Sequence, residues 1–303
     1  MFKKIKRYIK DPYYALGYDM IKKCPNLMSS KFYLSVLWKS LMGYELDWKH
    51  PKTFNEKLQW LKLYDHNPLY ATLVDKYRVK QWVADKIGEQ YVIPTLAVYK
   101  SVDAIDLDRL PNQFVLKCNH DSGSVLICRD KTKFDLESAK RKLSAGLKRN
   151  FYWDAREWAY KRVDRVVFAE QYMEDVSYLS DSKDLLTYKF LCFEGKPYLM
   201  YITVKGESIW ENYYDLDFNP MDIRRDFPMN PLMKDKPVCF EKMKDLATEL
   251  SKGLEHVRID LYEVAGKVYF SEFTFYDWGG LMKFRPSDWD SKLGGMIHLP
   301  FEQ

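Results

Sequence analysis

Arg258, Asp260 and Glu272 are the residues of this chain whose types and spacing promise chemistry. They lie in VRIDLYEVAGKVYFSEFTF, Val257 to Phe275. Its first half alternates Val257, Ile259 and Leu261 with Arg258, Asp260 and Tyr262, the period of a strand with one apolar face. Ala265-Gly266 supplies turn chemistry, and Lys267 onward reads as a returning strand. The two acids are twelve positions apart, an even separation that sets them on one face if the loop holds an odd number of residues. Two carboxylates sharing a partly buried face repel, and desolvating each costs several kcal/mol. A hard divalent cation removes both objections, because Mg2+ takes oxygen ligands, often one or two carboxylates plus phosphate. Arg258 adds a charge that is never lost, suited to charge growing on transferred phosphoryl oxygens. The bland alternative is a surface hairpin with an Arg–Asp pair.

A second stretch, FVLKCNHDSGSVLICRDK (114–131), has a strand ending in lysine, a polar turn with Gly123, and a departing strand. Such a turn can aim backbone N–H groups at phosphate oxygens while Lys117 supplies a point charge. It is not a P-loop, having no GxxxxGK[ST]. Cys118 and His120 share a strand face, but no orienting acid makes them nucleophile and base; His120 reads better as a neighbour of phosphates or acceptor. The remaining histidines form no ligand pattern and read as structural. The DLD triplets at 106–108 and 215–217 resemble nucleotide–metal acids of glycosyltransferases, yet both sit among turn residues. In YWDAREWAY (152–160), Arg156 and Glu157 join charge to aromatics, either to read a substrate carboxylate or sugar or to anchor a helix.

The elements that must position these groups are legible in outline. Up to about Gly88 the pattern is helical: TFNEK (53–57) has capping-box spacing, followed by apolar Leu58, Leu61 and Leu63. Leu69 to Ile87 predicts one further helix stopping at Gly88. Strand signals follow in YVIPTLAVY, QFVLKCN and SVLICRD, then an amphipathic helix from Phe134 to Arg149. VVFAEQYM (166–173), YKFLCF (188–193) and YLMYITV (198–204) read as strands, the last two joined at Glu194-Gly195. Glu241 to Leu254 predicts a helix leading into the hairpin. Helices first, then mixed elements, make an α+β chain.

Bulk properties narrow the function classes. At 303 residues and 47% hydrophobic the chain can bury a sizeable core, and it has no run of about 18 apolar residues to span a membrane. A net charge of +5 with interspersed signs argues against nucleic acid. Five scattered cysteines fit reduced thiols in the cytoplasm. MFKKIKRYIK has no apolar stretch behind its charge, so it does not read as a secretory signal. Its five cations, with Phe2, Ile5, Tyr8 and Ile9 at helical spacing, suggest either a solvated helix or a peripheral foot on an anionic membrane.

Taken in order, TFNEKLQWLKLYD, ADKIG, YVIPTLAVY, QFVLKCNHDSGS, AREWAYK, YKFLCFEGK, VRIDLYE and SEFTFYDWGG resemble the TupA-like ATP-grasp family of bacterial surface-polysaccharide gene clusters. The resemblance implies an ATP-grasp fold, two α+β subdomains clamping ATP with Mg2+ at the triphosphate. Residues 1–92 would form a mainly helical region, 93–173 the lid subdomain and 174–303 the core subdomain. Lys76 and Lys117 would contact the phosphates, with Ser122, Gly123 and Ser124 closing over them. Glu170, Gln171, Tyr172 and Met173 would form the hinge beside adenine, and Glu174 or Asp175 would take the ribose hydroxyls. Lys189 would face the nucleotide, Arg258 the transferring phosphoryl group, and Asp260 and Glu272 would hold Mg2+. His120 and Arg156 are the candidates for substrate contact. Asp121 and Ser124 depart from a glycine-rich lid turn, Thr187 from an acid before Tyr-Lys, Thr274 from an asparagine, and Asp277-Trp278-Gly279-Gly280 from Pro-Gly-Ser-Gly. The activity implied is ATP-dependent amide formation between an amine and a uronic acid or amino acid, glycan-linked, in capsule, O-antigen or teichuronic-type polymer synthesis. The alternative is a glycosyltransferase or assembly protein using a nucleotide-sugar through one DLD triplet.

Overall fold

The computed structural model describes residues 12–174, 185–205, 209–230 and 235–300. The chain opens with helices α1 (Pro12–Lys23), α2 (Ser30–Met42), α3 (Phe54–Tyr64), α4 (Leu69–Leu73) and α5 (Val79–Ile87). The capping box forms as read: Thr53 Oγ1 accepts from Glu56 N at 3.3 Å, and Glu56 Oε2 accepts from Thr53 N at 3.0 Å. The single helix expected over 69–87 is instead two. Asp75 is the reason, since its Oδ1 accepts from Tyr77 N and Arg78 N and caps a fresh start rather than continuing the first helix.

Two antiparallel sheets follow. The small one contains β1 (Thr95–Tyr99), β2 (Phe114–Cys118), β3 (Val125–Cys128) and β4 (Val167–Gln171) in the order β1-β4-β2-β3. Phe114, Leu116, Cys118, Val167 and Ala169 line one face and pack with Leu143 of α6 (Leu136–Lys148). A short helix α7 (Tyr152–Ala155) leads back towards β4. By strand alternation the other face carries Leu96, Val98, Val115, Lys117, Val125, Ile127, Phe168 and Glu170. Four of these, Leu96, Val98, Val125 and Ile127, remain exposed although apolar.

The large sheet holds β5 (Thr187–Phe193), β6 (Lys196–Lys205), β7 (Ile209–Tyr214), β8 (Pro220–Met221), β9 (His256–Val264) and β10 (Lys267–Thr274), ordered β10-β9-β5-β6-β7-β8. Phe190, Val257, Ile259 and Leu261 bury one face with Phe240, Met243 and Leu250 of α8 (Phe240–Ser251). Helices α3 to α5 share this same core through Phe54, Leu58, Leu73 and Val83 rather than forming one of their own. Helix α9 (Asp288–Gly294) closes the end, Asp290 Oδ1 accepting from Asn55 N at 3.0 Å. Both expected hairpin turns form with positive φ at both central residues, Glu194-Gly195 (48° and 77°) and Ala265-Gly266 (50° and 72°). This backbone matches the right-handed twist of the flanking strands.

Candidate active site between the two sheets

The hairpin loop has two residues, not the odd number needed to align Asp260 with Glu272. A β-bulge supplies the missing residue. Pairing runs Val268↔Glu263 and Phe270↔Leu261, then shifts past Ser271 to Glu272↔Asp260 and Phe273↔Ile259. The sequence carried a signal for this: Val268 and Phe270 are buried, then Phe273 and Phe275. That switch of phase within one strand is impossible in a regular ladder. With the bulge in place, Tyr213, Tyr201, Lys189, Asp260 and Glu272 stand opposite one another across β7-β6-β5-β9-β10.

Charge pairs knit this row together. Arg258 forks onto Asp260, Nε to Oδ1 at 2.6 Å and Nη2 to Oδ2 at 2.7 Å, and Nη2 reaches Glu272 Oε1 at 3.3 Å. Lys189 Nζ donates to Asp260 Oδ2 at 2.6 Å. Burial works against the charge on Glu272, but Lys76, Arg258 and Lys189 outweigh it and hold the carboxyl well below its ordinary range. Behind Arg258 lies a second, dry set of charges. Arg258 Nη1 donates to Asp277 Oδ1 at 2.5 Å, Arg225 Nη1 to Asp277 Oδ2 at 2.6 Å, and Arg225 Nε to Glu211 Oε2 at 3.0 Å. Asp277 is pushed far below the carboxylate range because Arg225 and Arg258 together overcome its burial.

On the small sheet Lys117 pairs with Glu170 Oε2, and Lys80 Nζ lies 2.6 Å from Glu170 Oε1. Burial disfavours the Glu170 carboxylate, yet the two lysines keep it below the usual range. The two sheets face one another. Lys117 lies within the fields of Tyr262 and Glu272 on the large sheet, and burial pushes the Tyr262 phenol up while Lys117 draws it down. Lys76 joins the halves. The break between α4 and α5 points it at the cleft, where Nζ lies 3.2 Å from Glu272 Oε2 and donates to the Asp121 carbonyl at 3.0 Å. Its backbone N–H donates to the Asn119 carbonyl at 2.9 Å.

Other expected residues are placed differently. Ser122 and Gly123 are exposed at the lid turn, with Gly123 at φ 106°, but the Ser124 hydroxyl donates inward to Asp121 Oδ2 at 2.5 Å. Asp121 is therefore buried in its own turn, away from where phosphates would meet the tip. Both ring nitrogens of His120 are engaged within the fold: Nε2 meets the carbonyls of Gly146 and Arg149 at 3.2 and 3.0 Å, and Nδ1 faces Asn119 Oδ1. Arg156 is an anchor: it is buried, it stacks on Tyr33 and Trp153, and it donates to the Pro25 and Met28 carbonyls. Gln171, Tyr172 and Met173 lie at the end of β4, where the Tyr172 hydroxyl accepts from Arg129 Nε at 3.1 Å. Glu174 is exposed, and Asp175 lies outside the described residues. Burial pushes the Cys118 thiol up to about 12, which leaves it inert. Asp106 and Asp215 each cap their own turns, accepting from Asp108 N and from Asp217 N and Asn219 N, so neither DLD triplet assembles a metal site. Sequence reading missed Lys80, Arg225, Glu211 and Lys62. The first sits four residues after Lys76 on the cleft-facing start of α5; the others become visible only when distant strands and helices converge.

Two antiparallel sheets facing across a cleft, one offering a lysine-bound glutamate and the other an acid row under an arginine, define an ATP-grasp fold. The family model described as TupA-like ATPgrasp matches residues 56–298, and the chain belongs to that family. No curated protein matches it in sequence. Among solved structures it is similar to D-alanine–D-alanine ligase from Bacillus anthracis, at 16% identity over 67% of this chain and 57% of that one, TM-score 0.39. It is also similar to L-amino acid ligase from Bacillus licheniformis, at 12% identity over 84% and 57%, TM-score 0.45. D-alanine–D-alanine ligase from Helicobacter pylori gives 14% identity over 81% and 69%, TM-score 0.39. The chain spans little more than half the length of the first two. Likenesses this remote carry no argument about its reaction.

Proposed function

We propose that this chain is an ATP- and Mg2+-dependent carboxylate–amine ligase acting through an acyl phosphate. The observation that carries the reading is the aligned row of Lys189, Asp260 and Glu272 beneath Arg258, facing Lys117 across the cleft. The donor set fits a hard cation: Glu272 offers oxygens, is held ionised and has its side chain 31% exposed, while Asp260, 1% exposed with both oxygens on Arg258 and Lys189, would share or exchange one of these contacts for the metal. Bound there, Mg2+ would neutralise triphosphate charge. Lys117 and Lys76 would exchange Glu170 and Glu272 for phosphate oxygens. The half-exposed apolar side chains of the small sheet offer a flat wall for a base, with the Glu170–Met173 segment at its edge. Arg258, fixed from both sides by Asp260 and Asp277, presents charge where the γ-phosphoryl oxygens become more negative and needs no rearrangement to do so.

A substrate carboxylate oxygen would attack the γ-phosphorus, and the bond to ADP would break. An amine would then attack the acyl carbon and expel phosphate. Two steps replace one that would have to expel hydroxide. The resemblance in sequence supports a glycan-linked uronic acid or amino acid as the carboxylate, in surface-polysaccharide synthesis on the cytoplasmic side. Among the described residues no helix is long and apolar enough to cross a membrane. The basic segment 1–10, proposed as a peripheral contact, lies outside them.

The test is thermal unfolding with Mg-ATP or Mg-UDP-sugars, on wild type and Glu272→Gln. Ligand at a hundredfold over its Kd adds about 2.7 kcal/mol. Mg-ATP should stabilise the wild type alone, and ADP release then identifies acceptors. Stabilisation only by a UDP-sugar would sink the ligase reading.

A further inference from the structure

Among the described residues every buried carboxylate except one accepts a hydrogen bond or an ion pair. The exception is Glu157, which is 8% exposed and whose side chain has neither. A largely buried carboxylate without a protein partner costs stability, and its oxygens are left available to a ligand. The residue before it explains how it is held. Arg156 sits at φ 57° in the left-handed region, its guanidinium 4.4 Å from the Tyr33 ring and 4.5 Å from that of Trp153. This clamp fixes the left-handed turn after which the chain leaves α7 with Glu157 buried rather than exposed.

The charges that act on Glu157 come from several elements: Lys62 on α3, Asp154 on α7, Arg258 on β9, and Lys76 at the α4–α5 break. Tyr160 lies in the fields of both Glu157 and Glu272, and Tyr276 also feels Glu157. A Cβ on Gly279 would stand 3.8 Å from both Ala155 Cβ and Lys62 Nζ, so the end of α7 that leads into Glu157 lies beside the turn carrying Asp277, the partner of Arg258. Lys62 is its nearest counter-charge in effect but outside ion-pair distance, because Nζ is held by the Gly279 carbonyl at 2.6 Å and Gln59 Oε1 at 3.0 Å. Burial pushes the Glu157 carboxyl up to about 7, against the pull of Lys62. Burial likewise brings the Lys62 ammonium down to about 8, against the pull of Glu157.

We propose that Glu157 is the receptor and proton acceptor for the incoming amine, with Lys62 held back to keep it charged. This rests on the ligase reading, in which the acyl phosphate end is anionic and is served by Arg258 and Lys76. The one cationic reactant is the substrate ammonium, and Glu157 is the one buried acid free to take it. The ammonium passes a proton to the Glu157 carboxylate, and the freed nitrogen lone pair forms the bond to the acyl carbon. The carbon–oxygen bond to phosphate then breaks, with its electron pair on phosphate. The second nitrogen proton leaves with phosphate as hydrogenphosphate, and Glu157 returns its proton to solvent. One acyl phosphate and one ammonium thus give amide, hydrogenphosphate and one proton.

Hydroxylamine is uncharged at neutral pH and needs no base, so it separates this role from the rest of the reaction. Wild type, Glu157→Gln and Glu157→Asp are given Mg-ATP and a panel of uronic and amino acids. Hydroxamate is measured with hydroxylamine, and amide with the twenty amino acids as amines. Glu157→Gln should keep hydroxamate formation and Mg-ATP thermal protection while amide formation falls at least about 100-fold, the usual scale of a lost general base. Glu157→Asp should recover part of it, and the acid limb of the wild-type amine profile near pH 7 should vanish in Glu157→Gln. Equal loss of both products, or of neither, overturns the proposal with the ligase reading intact. If wild type forms neither product and releases no ADP, the ligase reading itself fails and the proposal with it.

Discussion

Replacing Arg225 by methionine tests whether the charges behind Arg258 are dry. The side chain is 1% exposed and donates to Glu211 at 3.0 and 3.2 Å and to Asp277 at 2.6 Å. Its removal leaves two buried carboxylates short of a counter-charge, a class of change that costs about 3–5 kcal/mol. Asp277 would keep Arg258 and Tyr201, and Glu211 would keep Tyr213 and Trp278. The loss should therefore fall near the lower bound, about 3 kcal/mol, or roughly 5 °C in Tm for a chain of this size. The pH dependence has a definite sign. In the wild type Asp277 is held low, so its contribution is present above the unfolded value of about 3.9 and lost as pH falls through the folded one. In the variant the stranded carboxyls rise and take up protons in the folded state, so the deficit against wild type should shrink as pH is lowered from about 7 to 5. Denaturant and thermal unfolding at several pH values measure both effects, and adding Glu211→Gln should restore part of the loss. A deficit under about 1 kcal/mol, or one that does not change with pH, would show that water reaches the network and that Arg258 is not held as argued.

Gly146 allows α6 to lie against the lid turn: a Cβ there would stand 2.4 Å from Ser124 Oγ and 2.9 Å from Cys118 Sγ. Gly146→Ala should cost about 1–3 kcal/mol by overpacking and weaken Mg-ATP protection, read by thermal shift; unchanged protection would separate the turn from nucleotide binding. A thiol reagent on the native protein should label Cys24 first and Cys239 more slowly, and reach Cys118, Cys128 and Cys192 only on unfolding. Fast native labelling of Cys118 would contradict the burial that pushes its thiol up to about 12.

Local chemistry was the readable part of this sequence. The capping box at Thr53, the two hairpin turns and the alternation of β9 depend on neighbours a few residues apart, and each formed where it was expected. What escaped depended on competition. Leu69 to Ile87 has helical period throughout, but Asp75 offers the backbone another partner and divides the segment. Strand β7 (IWENYY) buries Glu211 and Asn212, which defeats an apolar pattern, and the partner that makes Glu211 tolerable, Arg225, lies fourteen residues on. Asp260 and Glu272 were identifiable by type, but their alignment hung on a bulge whose sole trace is a phase switch between Phe270 and Phe273. For His120 and Arg156, whose side chains bond within the fold, a polar residue near a suggestive motif looks the same in sequence whether it serves a ligand or its own fold.

The row from Tyr213 to Glu272 also bears on stiffness. Each member belongs to a different strand, and four of the five strands are paired on both sides. Displacing one of those side chains relative to the next means shearing a hydrogen-bonded ladder, whereas the opposing turn at Ser122-Gly123 is exposed and has nothing packed against its glycine. The cleft thus has an anvil and a hammer. The spacing of the acids is set by paired strands, and the freedom to adjust lies with the exposed turn opposite.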